Sequence, residues 1–147
     1  MKRLLLTTFV AALTIGMVAT VPTQAAAADG DAEAGKKVWG KCKTCHTLEE
    51  GKHGIGPSLF GVLGRQAGTA EGYKKYKPDM IAAGENGLIW NEDTLAAYIK
   101  KDGKKGPKQY IGSFIGKEKA NTRMAFNGLK NQADVDNLIA YIKANAQ

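Results

Sequence analysis

The chain has 147 residues, 44% of them hydrophobic and 24% charged, with a formal net charge of +7. That length suits one domain and leaves no room for a second, and two cysteines exclude a disulfide-dense scaffold. A basic excess is one mark of a nucleic-acid binder, but no ladder of interleaved aromatic and basic residues accompanies it.

The first predicted element is an export signal over residues 1–28. Basic Lys2-Arg3 precedes an apolar run from Leu4 to Val21, and Pro22-Thr-Gln-Ala-Ala-Ala-Ala28 supplies small residues for cleavage. Cutting after Ala25 or after Ala28 satisfies the spacing equally well. The competing reading is a retained anchor, but Thr7, Thr8, Thr14, Gly16 and Thr20 dilute the run below a convincing span. The mature domain is therefore placed at 29–147. Losing Lys2 and Arg3 leaves 19 basic against 14 acidic residues, a net of +5.

From Asp31 an acidic start and apolar groups at helical spacing predict an amphipathic helix that ends at the cysteines. Between Thr47 and Asn91 glycine and turn residues dominate, so that stretch reads as loop with short helical turns, one of them around Met80. Asn91 is placed to cap a second helix carrying Leu95, Tyr98 and Ile99, and after Asn131 Val135, Leu138, Ile139 and Ile142 mark a third. Sustained period-two alternation is missing, so the predicted class is all-α: three main helices framing long loops. Loops of such length argue against a compact domain unless they serve a function, and wrapping a flat cofactor is one. Trp39, Leu138 and Tyr141 are expected where the first and last helices pack.

Cys42-Lys43-Thr44-Cys45-His46 carries the chemistry. Two thiols three residues apart on a helical turn can both reach one porphyrin edge and add to its vinyl groups as thioethers. His46, next in sequence, is then held beneath the iron as a neutral imidazole ligand. A thioredoxin-like dithiol would need a strand-turn-helix setting, and a zinc site would need two further ligands with only His53 at hand. A disulfide between Cys42 and Cys45 is the remaining competitor. For the second axial position Met80 and Met124 both stand after the motif; Met80 reads as a buried core methionine, whereas Met124 lies in a loop 78 residues after His46 (124 minus 46). A thioether there would favour ferrous iron and close the site.

Those residues stand within a longer pattern. Gly35-Lys-Lys-Val-Trp-Gly-Lys-Cys-Lys-Thr-Cys-His46, His53-Gly-Ile-Gly-Pro57-Ser-Leu59, Gly64-Arg65, Gly87-Leu-Ile-Trp90 and Asn121-Thr-Arg-Met-Ala-Phe126-Asn-Gly-Leu-Lys130 resemble class I cytochrome c over nearly all of the mature chain. The stretch Gly112 to Ala120 is longer than its mitochondrial counterpart and resembles the bacterial cytochromes c2 and c550. The resemblance implies one covalent haem c, wrapped by the helices and loops, with His46 and Met124 as axial ligands. It also implies that the Pro57 carbonyl holds the second ring nitrogen of His46, that Arg65, Trp90 and Tyr73 or Tyr76 hold the haem propionates, and that Tyr98 and Thr122 lie near the Met124 sulfur. Ala67 stands where a hydroxyl residue often assists. His53 is expected to tie two loops together, and Leu59, Leu95, Ile99 and Phe126 to line the pocket.

With both axial positions filled, the expected function is one-electron transfer in the periplasm by a monomer peripheral to a membrane. Its expected partners are acidic redox proteins: a quinol-oxidising cytochrome complex as donor, and a terminal oxidase or reaction centre as acceptor. Lys37, Lys41, Lys43, Lys108, Arg123 and Lys130 form the expected docking face. The alternative is a haem peroxidase or gas sensor in which Met124 is displaceable.

Overall fold

The computed structural model describes residues 30–147 and forms five helices: α1 (Ala32–Trp39), α2 (Pro78–Glu85), α3 (Glu92–Ile99), α4 (Pro107–Phe114) and α5 (Gln132–Asn145). The predicted export signal lies outside the described residues. Among the described residues no strand forms; isolated bridges such as Gln66 with Ile89 and Lys100 with Leu129 pin loops together. The all-α class stands: the three main helices and the short one around Met80 form, and α4 is additional.

The caps explain where these helices begin. Asp31 starts α1 by accepting from the backbone N–H groups of Glu33 and Ala34 at 2.8 and 3.3 Å. Asn91 and Thr94 exchange side chain to backbone bonds at 2.7 and 2.8 Å, a reciprocal box that opens α3. Asn131 opens α5 through Ala133 N–H at 3.0 Å. α1 stops at Trp39, short of the cysteines it was expected to reach. Successive turns carry the backbone onward, with Cys42 N–H on the Trp39 carbonyl at 2.8 Å and His46 N–H on that of Cys42 at 3.0 Å.

α4 was not legible because Gly112 and Ser113 are poor helix formers within an eight-residue element. Burial of Pro107, Ile111 and Gly112 against the rest of the domain supplies what propensity lacks. α2 is the short helix expected around Met80, which is buried in the core as an ordinary apolar side chain.

α1 and α5 cross in direct contact. Gly35 sits at the crossing, where Tyr141 Cβ would be 2.7 Å from any added methyl group. Trp39 and Tyr141 meet beside it with ring centroids 6.1 Å apart, and Leu138 is buried in the same cluster. The pairing expected of these three residues is therefore observed.

One strap positions the loop that carries Met124. Asp79, in the first turn of α2, accepts from Lys117 Nζ and from the Asn121 backbone N–H, each at 2.7 Å. These bonds, Lys117 first, hold the Asp79 carboxyl below its ordinary 3.8. Because the folded value is depressed, the unfolded chain binds more protons in acid; the strap's contribution is full above the ordinary value and disappears as pH falls through the lower folded one. Asp79→Asn is expected to narrow the stability gap from the parent protein between about pH 5 and pH 2. Urea midpoints at each pH check this, and a gap that stays constant would remove Asp79 as the titrating group.

Candidate haem site

His46 ends the turn after α1, and its Nδ1 lies 2.8 Å from the Pro57 carbonyl. Since a carbonyl only accepts, Nδ1 carries the proton and Nε2 keeps a free lone pair. Burial drives the imidazole pKa down, partly opposed by that Pro57 bond, so the ring is neutral and able to ligate a metal near neutral pH. Gly56 closes over the ring: an added methyl would lie 2.8 Å from both nitrogens. Glycine is therefore required there by space alone, a constraint present in the Gly56-Pro57 pair but invisible until the loop folds back onto His46.

Cys42 and Cys45 are half-buried and not joined to each other. Burial first, then the neighbouring Cys45, pushes the Cys42 thiol up to about 11. A dithiol redox centre needs the opposite shift, toward thiolate at neutral pH. Among the described residues no group of three or more His, Cys, Asp or Glu could hold a metal ion, so the zinc alternative lacks its remaining ligands.

His53 spans two loops. Ser58 N–H donates to its Nδ1 at 3.0 Å, which leaves Nε2 as the donor to the Glu71 carbonyl at 2.8 Å. Both nitrogens are occupied, as its expected role as a tie between loops requires.

Tyr98, on the buried face of α3, donates its hydroxyl to Met124 Sδ at 2.9 Å. Burial raises the phenol pKa strongly, so Tyr98 remains a donor at every pH at which the protein is folded near neutrality. Trp90 packs on Tyr98 with centroids 4.9 Å apart. Thr122 does not reach the sulfur; its buried Oγ1 has no hydrogen-bond partner. A buried hydroxyl without a partner costs about 1–3 kcal/mol, so it marks a place where another polar group belongs.

Arg65 directs its guanidinium to the Phe60 and Ser58 carbonyls at 2.9 and 3.0 Å. The backbone of Arg65 in turn accepts from Trp90 N–H at 2.9 Å, which couples the two residues. Of the two tyrosines left open by the sequence, Tyr73 has its hydroxyl engaged by the Ile55 carbonyl at 2.6 Å. Tyr76 meets Tyr73 edge-on at 4.9 Å and is in the field of Arg65. Ala67 is fully buried, its N–H on the Leu88 carbonyl at 2.9 Å. Leu59, Phe126 and Met124 are half-buried against the core that contains Leu95 and Ile99.

These observations are what a haem c needs from a chain: adjacent free thiols, an imidazole with one nitrogen spoken for, a thioether with an oriented lone pair, and an unpaired buried hydroxyl. The residues present therefore fit the group. The fold and the donor set define a protein of the monohaem electron-transfer class.

The Cytochrome c family model matches residues 32–146. Cytochrome c2 iso-2 of Magnetospirillum fulvum is 43% identical over 106 residues, covering 72% of this chain and 93% of that relative. Cytochrome c-551 of Roseobacter denitrificans is 36% identical over 126 residues, covering 81% and 86%. The solved structure of cytochrome c2 from Rhodospirillum centenum superposes with a TM-score of 0.69 at 34% identity, covering 80% of this chain and all of that one. The chain belongs to the cytochrome c family. It accordingly carries one haem c bound covalently through Cys42 and Cys45, and it is an electron-transfer protein, not an enzyme.

Proposed function

We propose that this protein carries single electrons between membrane complexes in the periplasm, with His46 Nε2 and Met124 Sδ as the two axial ligands. The hydrogen bond from Tyr98 to Met124 carries the reading, because it gives the sulfur a fixed orientation and leaves a lone pair for ligation. When bound, the haem supplies a one-electron ferric/ferrous couple. The Pro57 carbonyl sets the His46 tautomer, and Gly56 lets the loop close against the ring. Arg65 and Trp90, with Tyr73 or Tyr76, are assigned to the propionates; the Tyr73 hydroxyl is held by the Ile55 carbonyl and that of Tyr76 by the Ala70 backbone, while the Thr122 hydroxyl is left without a partner.

Export follows from the signal over residues 1–28, removed to leave a domain over 29–147. Among the described residues no helix is long and apolar enough to cross a membrane, which agrees with a protein acting at a membrane surface. Donor and acceptor are assigned as acidic faces of a quinol-oxidising complex and of a terminal oxidase or reaction centre. Lys37, Lys43, Arg123 and Lys130 are exposed for such docking, whereas Lys41 is within 3.8 Å of Asp134.

Two measurements test the reading. The ferrous protein is expected to refuse carbon monoxide at neutral pH, since both axial positions are taken; ready binding would instead support a gas sensor with a displaceable methionine. The rate of electron exchange with an acidic partner is expected to fall steeply as salt rises, because charge steering is screened over about 8 Å at physiological strength. A rate indifferent to salt would remove the basic docking face.

A further inference from the structure

The tripeptide Asn-Gly-Leu occurs twice, as Asn86-Gly87-Leu88 and as Asn127-Gly128-Leu129. Asparagine is a thermolabile residue, and a glycine after it leaves the next backbone nitrogen unshielded. That nitrogen is one five-membered ring away from the asparagine side-chain carbonyl carbon and attacks it when both groups are free. The two copies share this intrinsic chemistry, and both asparagines are exposed to water. Hydrogen bonding separates them.

Asn86 caps the end of α2, and its Nδ2 donates to the Phe114 carbonyl at 2.7 Å. The Gly87 nitrogen donates to the Gly84 carbonyl and that of Leu88 to the Ala83 carbonyl, each at 3.0 Å. Attack there requires the end of α2 to open first. Asn127 is the reverse case: among the described residues neither its side chain nor the Gly128 N–H makes a hydrogen bond. Gly128 lies close over the Lys100 carbonyl, where an added methyl would be 2.9 Å away, and this holds its Cα without engaging its nitrogen. Charge adds to the contrast. Asn86 follows Glu85, whereas Asn127 shares a hollow with Lys101, Lys104, Lys105 and Lys119 and with no acidic residue. Positive charge favours both the ionised nitrogen and the oxyanion formed on attack.

We propose that Asn127 is a spontaneous deamidation site of the folded protein, and that the carboxylate it acquires lowers the positive charge between Arg123 and Lys130. Water is the sole co-reactant. The Gly128 nitrogen loses its proton to solvent and bonds to Cγ of Asn127; the Cγ–Nδ2 bond breaks, and the departing nitrogen takes up a proton and leaves as ammonia. One water then opens the imide at either carbonyl, giving aspartate or isoaspartate at position 127, with no electron transferred. The reaction is independent of the axial ligands. Its effect on charge rests on the basic docking face proposed above, where Arg123 and Lys130 are exposed.

The test ages the haem-loaded protein at physiological temperature and mildly alkaline pH, beside a sample held in denaturant, and follows both by peptide mass. Cleavage after lysine and arginine isolates residues 124–130, which hold Asn127, from residues 76–100, which hold Asn86. In the folded protein the 124–130 peptide is expected to exchange NH2 for OH at least about tenfold faster, since two hydrogen bonds guard Asn86-Gly87. In denaturant the two rates are expected to converge, and Asn127→Gln is expected to abolish the change in 124–130. Equal rates in the folded protein, or a slower 124–130 peptide, would overturn the site. Asn127→Asp supplies the charge directly: its electron exchange with an acidic partner is expected to be about twofold slower than the parent's at low salt and equal to it at high salt. A parent-like rate at low salt would overturn the effect on docking. A parent rate indifferent to salt would overturn the docking face and that effect together, while the peptide result stands.

Discussion

Met124→Ala is expected to abolish the sulfur-to-iron absorption band of the ferric protein and to lower the midpoint potential by on the order of 0.2 V, a quarter of the roughly 0.8 V that axial ligation spans. The direction follows from the chemistry of the sulfur. A thioether is a soft, neutral ligand that favours the ferrous state, and alanine leaves that position to water or to a stray nitrogen ligand. The same variant should bind carbon monoxide readily. Because Met124 is half-buried at the edge of the core, the change removes little packing, and the helical signal of the protein should persist. An unchanged band and potential would move the sixth ligand elsewhere. The other described methionine, Met80, is buried within α2, where no bond orients its sulfur.

Gly35→Ala is expected to destabilise the haem-loaded protein by about 2 kcal/mol, seen as a Tm lower by roughly 8 °C in thermal unfolding. Propensity argues the other way, since alanine in a helix interior gains about 1 kcal/mol over glycine. Space decides the sign. The added methyl would be driven into the Asn137 carbonyl and would sit 2.7 Å from Tyr141 Cβ, both on the facing helix α5. Neither can yield without separating α1 from α5, and overpacking of this kind costs about 3 kcal/mol. A Tm that stays level or rises would show that the crossing is looser than these contacts require. The damage should extend to the site, because the turn that bears Cys42, Cys45 and His46 continues directly from α1.

Much of this could be read from residue type and spacing. The five residues from Cys42 to His46 place thiols and imidazole together on any helical turn, since their relation is local. Asp31, Asn91 and Asn131 announce helix starts because capping is chemistry between near neighbours. α4 was hidden for the complementary reason: its own residues favour a helix weakly, and only burial of Ile111 and Gly112 by segments far along the chain stabilises it. The bond from the Tyr73 hydroxyl to the Ile55 carbonyl at 2.6 Å was hidden in the same way, because its partner lies 18 residues back along the chain.

The sequence by itself determined that a haem is attached, where the attachment lies, and that a basic, all-α domain surrounds it, because each of these rests on composition or on contacts a few residues long. Tertiary structure alone decided which nitrogen of His46 is free and that Tyr98 and not Thr122 bonds the Met124 sulfur. Those outcomes depend on groups 11 to 26 residues apart, and chain spacing does not encode such distances until the core has packed.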